Sequence, residues 1–440
     1  MSKTRFLGNL IKTNPTIPTG NSGANYGTAT GVWNLEEVAS FRAAGDWPLT
    51  ASAPGAPSIT SVTSGDEQVI VAFSGNADTG GLDPTSFTAL ASSGESASGS
   101  SSPLTVTGLT NDTAITFTVT ATNAVGTSSA SSASSSVTPA EPINGFFITG
   151  TNGGTRKSQV DRVTIATTGN ATDYQDLVAS YRGTAAGNAT RTLHHWGVTT
   201  STFYGNSGVY YFSPVTAGTN SSFGNLTAGG NARTDGSALA NNTRFVHGGG
   251  TYQNEKHDDM SYFTIASTGN STNFGTLNKN DKDGSACASA TRGIFYHDYG
   301  GGADTNIDYI TIASTGSASD FGDITESRSQ HGALSNATRG VMFGGRTGGS
   351  QFRNTIEYIT IASAGNAQDF GDLQQTKYLA EGTASTTRGV IGGGGTQAAN
   401  DLDEIGYITI GSTGNAQDFG NLALGKMQHS AAGNAHGGIS

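Results

Sequence analysis

Six variants of one phrase recur after residue 144, which confines this part of the chain to a set of like units that bury their faces on one another. Five copies are clear: DRVTIATTGNATDYQDL (161–177), SYFTIASTGNSTNFGTL (261–277), DYITIASTGSASDFGDI (308–324), EYITIASAGNAQDFGDL (357–373) and GYITIGSTGNAQDFGNL (406–422). A degenerate copy, VYYFSPVTAGTNSSFGNL (209–226), falls between the first two. The aromatic positions Tyr174, Phe223, Phe274, Phe321, Phe370 and Phe419 are spaced by 49, 51, 47, 49 and 49 residues. Within a unit, alternation such as Ile310, Thr311, Ile312 reads as a strand with one face buried. Phe321 and Ile324 are expected to seal its outer edge. The T-G-N-A-x-D stretch reads as a turn.

A second element alternates with the first: Asn or Ser, then Ala-Thr-Arg or a variant, then an apolar strand and glycines. Examples are NATRGVMFGG (336–345) and TTRGVIGGGG (386–395). Its arginines are Arg191, Arg244, Arg292, Arg339 and Arg388, and their recurrence predicts stacking or pairing between units. A unit of this size with short strands, glycines after one strand and an aromatic on the last resembles a blade of the kelch class of β-propellers. The resemblance implies six blades over 141–440. INGFFITGTNGG (143–154) lacks a strand before it and KMQHSAAGNAHGGIS (426–440) supplies one, so strands from both ends are expected to close the ring.

Residues 53–140 read as a separate domain. Val69, Val71 and Phe73, then Leu104 and Val106, then Ile115, Phe117 and Val119 alternate with polar residues, with turn signals between the runs. GLTNDTAITFTVTATNAVGTS (108–128) resembles the closing strands of a fibronectin type III domain. Ile115 stands where that family has its corner tyrosine, and Phe73 where a tryptophan is common. The implied fold class is all-β throughout, with one short helix in an extended N-terminal arm.

That arm, residues 1–52, holds the helix signal: Asn34 as N-cap, Glu37 three residues on, Leu35, Val38 and Phe41 at helical spacing, Gly45 and Pro48 as stops, and Trp33 and Trp47 on either side. Its first apolar stretch, Phe6 to Ile11, is broken by Gly8 and Asn9 and does not read as a secretory signal. No stretch approaches the roughly 20 apolar residues of a membrane span. A net charge of −11 repels a phosphate backbone, so nucleic acid is not an expected partner. The single cysteine, Cys287, allows no intrachain disulfide.

Signatures of catalysis are sparse. There is no G-x-S-x-G elbow, no phosphate loop and no H-E-x-x-H helix. Asp281-Lys282-Asp283-Gly284 starts like a calcium loop without its downstream ligands. Kelch propellers joined to a sandwich also occur in galactose oxidase, whose copper site needs a cysteine linked to tyrosine. Cys287 lies in an ordinary repeat position, so it reads as a core residue. No enzyme, cofactor or metal is expected. Three strands depart from the Phe-Gly-Gly ending: His194-His195-Trp196, Phe245-Val246-His247 and Tyr296-His297-Asp298-Tyr299. His194, His195, Trp196, His247, Tyr296, His297, Asp298 and Tyr299 are therefore the candidate glycan-binding residues, since rings stack on sugar faces and polar groups bond hydroxyls; drift in solvent-facing loops is the competing reading.

MSKTRFLGN, GVWNLEEVASFRAAGDWP and the NATRGVMFGG and YITIAST repeats together resemble virion structural proteins of tailed bacteriophages, especially tail or fibre proteins of phages of cyanobacteria and other aquatic bacteria. The resemblance implies a particle protein made in the host cytoplasm, docked on other virion subunits through Trp33, Leu35, Val38, Phe41 and Trp47, and displaying its distal domain for attachment to a host glycan. A decoration fibre without a receptor and a polysaccharide depolymerase are the alternatives, and self-association is left open.

Overall fold

The computed structural model describes residues 51–199, 205–218, 220–227, 233–253, 255–297, 305–348 and 351–434, and the chain divides into two units between Pro142 and Ile143. Among the described residues every regular element is a strand, as the sequence periodicity requires. The expected helix and arm lie outside them.

The first unit has two three-stranded antiparallel sheets. One orders Ser58–Gly65, Gln68–Ser74 and Leu104–Thr107; the other orders Ser96–Gly99, Ser86–Ala91 and Phe117–Thr122. Alternation puts Val69, Val71, Phe73, Val106, Ile115, Phe117 and Val119 into one shared core. Phe73 and Ile115, the two departures from the family pattern, are both buried there. Beside Phe117–Thr122 runs a segment held by a serine ladder. Ser128, Ser131 and Ser134 donate their amides to the carbonyls of Ala121, Val119 and Phe117, while their hydroxyls accept the amides of the same three residues. A three-residue step thus matches a two-residue step on the strand, which explains the SSASSASSS composition.

The second unit has six antiparallel sheets of four or five strands, numbered here from the chain start, and a separate two-stranded ribbon, Arg346–Thr347 with Gln351–Phe352. In sheet 1 the order is Ser430–Gly433, Asn144–Ile148, Thr155–Thr164, Thr172–Ser180, so strands from both ends of the unit pair directly, Ser430 opposite Ile148 and Gly433 opposite Gly145. Sheets 2 to 6 begin with the inner strands Thr184–Gly187, Ser237–Ala240, Ser285–Ala288, Gly332–Ser335 and Glu381–Ala384, each followed by three further strands in chain order. The six inner strands neighbour one another in cyclic order, the strand of sheet 6 lying beside that of sheet 1. Small residues, among them Ala185, Ala238, Ala286, Ala333, Gly382 and Ala431, leave a narrow axial cavity of about 60 Å³ between them.

Repeated residues form the joints between sheets. Arg191, Arg244, Arg292, Arg339 and Arg388 each donate to a carbonyl of the next sheet, that of Ile265, Ile312, Ile361, Ile410 and Ile165 respectively, at 2.7 to 3.1 Å. Each guanidinium also lies over a tyrosine of its own sheet, Tyr211, Tyr262, Tyr309, Tyr358 or Tyr407. Further out, the turn of the next sheet pairs by its backbone with the outer strand: Gly414 donates to Phe370 and Ala416 to Asp372. The glycine of Phe-Gly permits this approach. A Cβ on Gly371, whose φ is +148°, would lie 2.6 Å from the carbonyl of Gly414.

One joint differs, and so does its sequence. Between sheets 1 and 2, Gln175 replaces that glycine and accepts from the Gly218 amide, Tyr174 donates its hydroxyl to the Ser213 carbonyl, and Phe146 meets Phe212 edge-on at 5.5 Å. The degenerate copy at 209–226 thus supplies Phe212, Ser213 and Gly218 to a joint of a different kind.

Three outcomes follow. Arg339→Ala removes a hydrogen bond and a cation–π contact and is expected to cost about 1.5–2 kcal/mol in urea unfolding. Gly371→Ala should destabilise by about 1–3 kcal/mol, while Gly411→Ala, where an added Cβ meets nothing within 4 Å, should be near neutral. Deleting residues 426–440 removes the strand paired with Asn144–Ile148 and should abolish cooperative melting of the second unit; a truncated protein with an unchanged transition would contradict the pairing.

Candidate functional site

The two faces of the second unit differ in kind. On one, short turns repeat nearly unchanged: Asn188, Asn241 and Asn336 each accept two backbone amides of their own turn and donate to the turn of the next sheet. On the other lie the described parts of the connections between second and third strands, which in sequence run from six residues (149–154) to twelve (196–207) and share little with one another. Bridges Thr151–Met427, Thr234–Thr251, Ser329–Arg346 and Tyr378–Gly395 fasten these connections beside the starts of the inner strands.

There the axial cavity opens in a ring of six residues, one per sheet: Arg182, Asp235, Asp283, Gln330, Leu379 and Gln428. All six are left-handed, with φ between +53° and +57°. Five of their amides donate to the carbonyl of the preceding ring member, Arg182 to Gln428 at 2.9 Å and onward to Leu379 to Gln330 at 2.8 Å. These bonds compensate a conformation that L-residues rarely adopt. Within the mouth, burial and the neighbouring Asp283 push Asp235 up to about 6, against the pull of Arg182 at 3.2 Å. Burial alone pushes Glu381 up to about 8. The cup they line is about 50 Å³, room for water-sized occupants and not for a sugar ring.

Beneath the ring four of the six sheets hold a charge pair whose cation stands at a repeated position, two residues before the left-handed residue. Sheet 1 pairs Lys426 with Asp161 at 3.1 Å, sheet 5 pairs Arg328 with Glu357 at 2.6 Å, and sheet 6 pairs Lys377 with Glu404 at 3.3 Å. Sheet 3 pairs Arg233 with Asp259. Burial raises Asp161 and lowers Lys426 even though each attracts the other.

The candidate glycan residues belong largely to this layer. In sheet 4 the cation position holds Asp281, and His297 lies between Asp281 and Asp308, at 3.8 and 2.8 Å, as the replacement cation. Burial acts to lower His297, but the two carboxylates outweigh it and push it up to about 10. In sheet 2 the pair is gone. Ser180 takes the cation position, Tyr210 the position held by Asp161, Asp308 and Glu357 in sheets 1, 4 and 5, and Trp196 stacks on Tyr210 at 3.8 Å and 9°. His194, His195, His247, Tyr296 and His297 are all no more than 2% exposed. Burial excludes these five from any surface that stacks on a sugar, which corrects the sequence expectation for them. Burial holds His194 at about 3 and His195 at about 4, so both are neutral. Trp196 is half-buried; Asp298, Tyr299 and the docking residues Trp33, Leu35, Val38, Phe41 and Trp47 lie outside the described residues.

Cys287 is buried with its Sγ 3.9 Å from the Tyr296 hydroxyl, and its thiol is pushed up to about 12 by burial. Among the described residues no group of three or more His, Cys, Asp or Glu side chains is arranged to hold a metal ion, and no helix is long and apolar enough to cross a membrane.

The sequence reading missed one aromatic pair on the variable face. Phe352 and Tyr378, both half-buried, stack at 4.7 Å and 28°, with Asn400 accepting from the Tyr378 hydroxyl and Arg353 forked onto Glu326 nearby. They come from different repeats and meet only because one sheet follows the next.

His297→Asn would remove the cation held between Asp281 and Asp308 and is expected to cost about 3–5 kcal/mol near neutral pH. Its folded pKa, about 10, lies above the ordinary 6.5, so the contribution is complete below pH 6.5 and is lost as pH rises through about 10. Urea midpoints of wild type and variant should therefore converge at alkaline pH; a constant gap would contradict a charged His297. Compared with known proteins, the chain matches no family model, and no curated protein matches it in sequence.

Proposed function

We propose that the chain is a non-enzymatic structural protein of a tailed-phage particle. In this reading the first unit is a fibronectin type III-like spacer and the second a six-bladed kelch-like propeller closed by strands from both ends. Residues 1–52 dock on other virion subunits, and the propeller is displayed outward to attach to a host-surface glycan. The observation that carries attachment is the contrast between faces: residues that hold sheets together repeat, whereas the connections around the mouth differ in length and sequence, as a recognition surface on a constant scaffold does. Half-buried rings at Trp196, Phe352 and Tyr378 on that face are the groups able to stack on a pyranose, in place of the buried histidines. The N-terminal resemblance to virion proteins supports the location.

A decoration knob without a receptor is the second reading, favoured by the continuous joints around the six sheets. Gold-labelled antibody to the second unit, imaged on purified virions, separates them: label on tail tip or fibres is expected, label over the head favours decoration, and unlabelled particles refute the particle reading. On a glycan array, Phe352→Ala should weaken binding about tenfold, equivalent to about 1.4 kcal/mol. An array with no bound glycan would remove the attachment role.

A further inference from the structure

We propose that the first unit carries a self-association edge: strand Ser58–Gly65 pairs with the same strand of a second copy of this chain. The proposal does not rest on the particle reading. Ser58–Gly65 is the edge strand of its sheet, paired on one side with Gln68–Ser74 and on the other with no strand among the described residues. Edge strands of soluble proteins are ordinarily blunted by a charge, a proline within the strand, a bulge or a covering segment. SITSVTSG has neither charge nor proline and only the single bulge at Thr60, and its backbone borders a groove of about 470 Å³.

The far wall of that groove is the serine ladder segment. Its inward hydroxyls and amides are spent on Phe117–Thr122, so Ala130, Ser132, Ala133 and Ser135 face outward with small uncharged side chains. The continuation of this segment meets the edge only at its far end, where Ala140 donates to the Gly65 carbonyl and the Ser64 hydroxyl to that of Thr138, and residues 58–62 are left bordering the groove. All thirteen residues lining the groove, 56–62 and 130–135, are uncharged, and no charged residue occurs from Thr113 to Ala140. In a chain of net charge −11, an uncharged patch lets two copies meet without bringing like charges together. Here uncharged strand faces uncharged strand in every antiparallel register. Pairing across a two-fold axis would join two three-stranded sheets into one of six strands, an isologous contact of the commonest kind.

Thr60 is the residue to change. It sits at the bulge between Ile59 and Ser61, takes no partner on Gln68–Ser74 and is exposed, so a substitution leaves the sheet's own ladder intact. Sedimentation of the full chain up to about 100 µM should show a monomer–dimer equilibrium. Thr60→Lys, and separately Ala133→Lys, should shift it to monomer by at least tenfold in dissociation constant with unchanged melting. Under oxidation Thr60→Cys should form a disulfide-linked dimer, whereas Thr105→Cys, exposed on the opposite edge strand Leu104–Thr107, should not; the native Cys287 is buried and does not compete. A monomer over the whole range overturns the proposal, as does an oligomer that survives both lysine variants or cross-links equally through Thr105→Cys.

Discussion

The second unit depends on backbone meeting backbone across sheets that have no covalent reason to stay together. At five of the six joints the outer strand receives amides from the turn of the next sheet, and that approach tolerates only a hydrogen where Gly371 and its counterparts sit. At the same five joints an arginine reaches the following sheet's isoleucine carbonyl. Polar satisfaction and lateral packing are therefore one interaction. A chain with 12% charged residues and 64 glycines uses its few guanidiniums as clasps and its glycines as points of contact.

The buried charge layer follows a different logic. Lys426 with Asp161 and Arg328 with Glu357 are fully desolvated, and burial opposes the charged state of Asp161, Lys426 and Arg328. Such pairs are weak evidence of net stability, but removing one partner is costly. That asymmetry accounts for the two exceptions. Where Asp281 stands in place of a cation, His297 supplies the missing charge; where neither charge is present, Trp196 and Tyr210 fill the volume with stacked rings. The position is coupled, so it changes as a set.

The repeat period, the strands, the clasping arginines and the pairing of both ends were legible in the sequence, because each follows from local alternation or from recurrence at one spacing. The role of the irregular residues was not. His194, His195, His247 and His297 looked like surface variation because polar aromatic residues at irregular positions are usually exposed, and only their partners Asn206, Asp281 and Asp308 on other strands show them to be interior. Aligning the repeats column by column carries part of the signal: Ser180, Arg233, Asp281, Arg328, Lys377 and Lys426 share one column, and the sheet with an acid there is the one with His297. The Phe352–Tyr378 stack had no such signal, since its members belong to adjoining units of the repeat.

The pairing of Asn144–Ile148 between Ser430–Gly433 and Thr155–Thr164 has a mechanical meaning. A pull on the chain at residue 143 enters a strand bonded along both flanks by antiparallel neighbours. Tension along that strand loads its cross-strand hydrogen bonds in shear, all at once, instead of unzipping them singly. The tethered strand is thereby bonded directly to the last strand of the unit, and traction from outside is borne at the point where the circle of sheets meets.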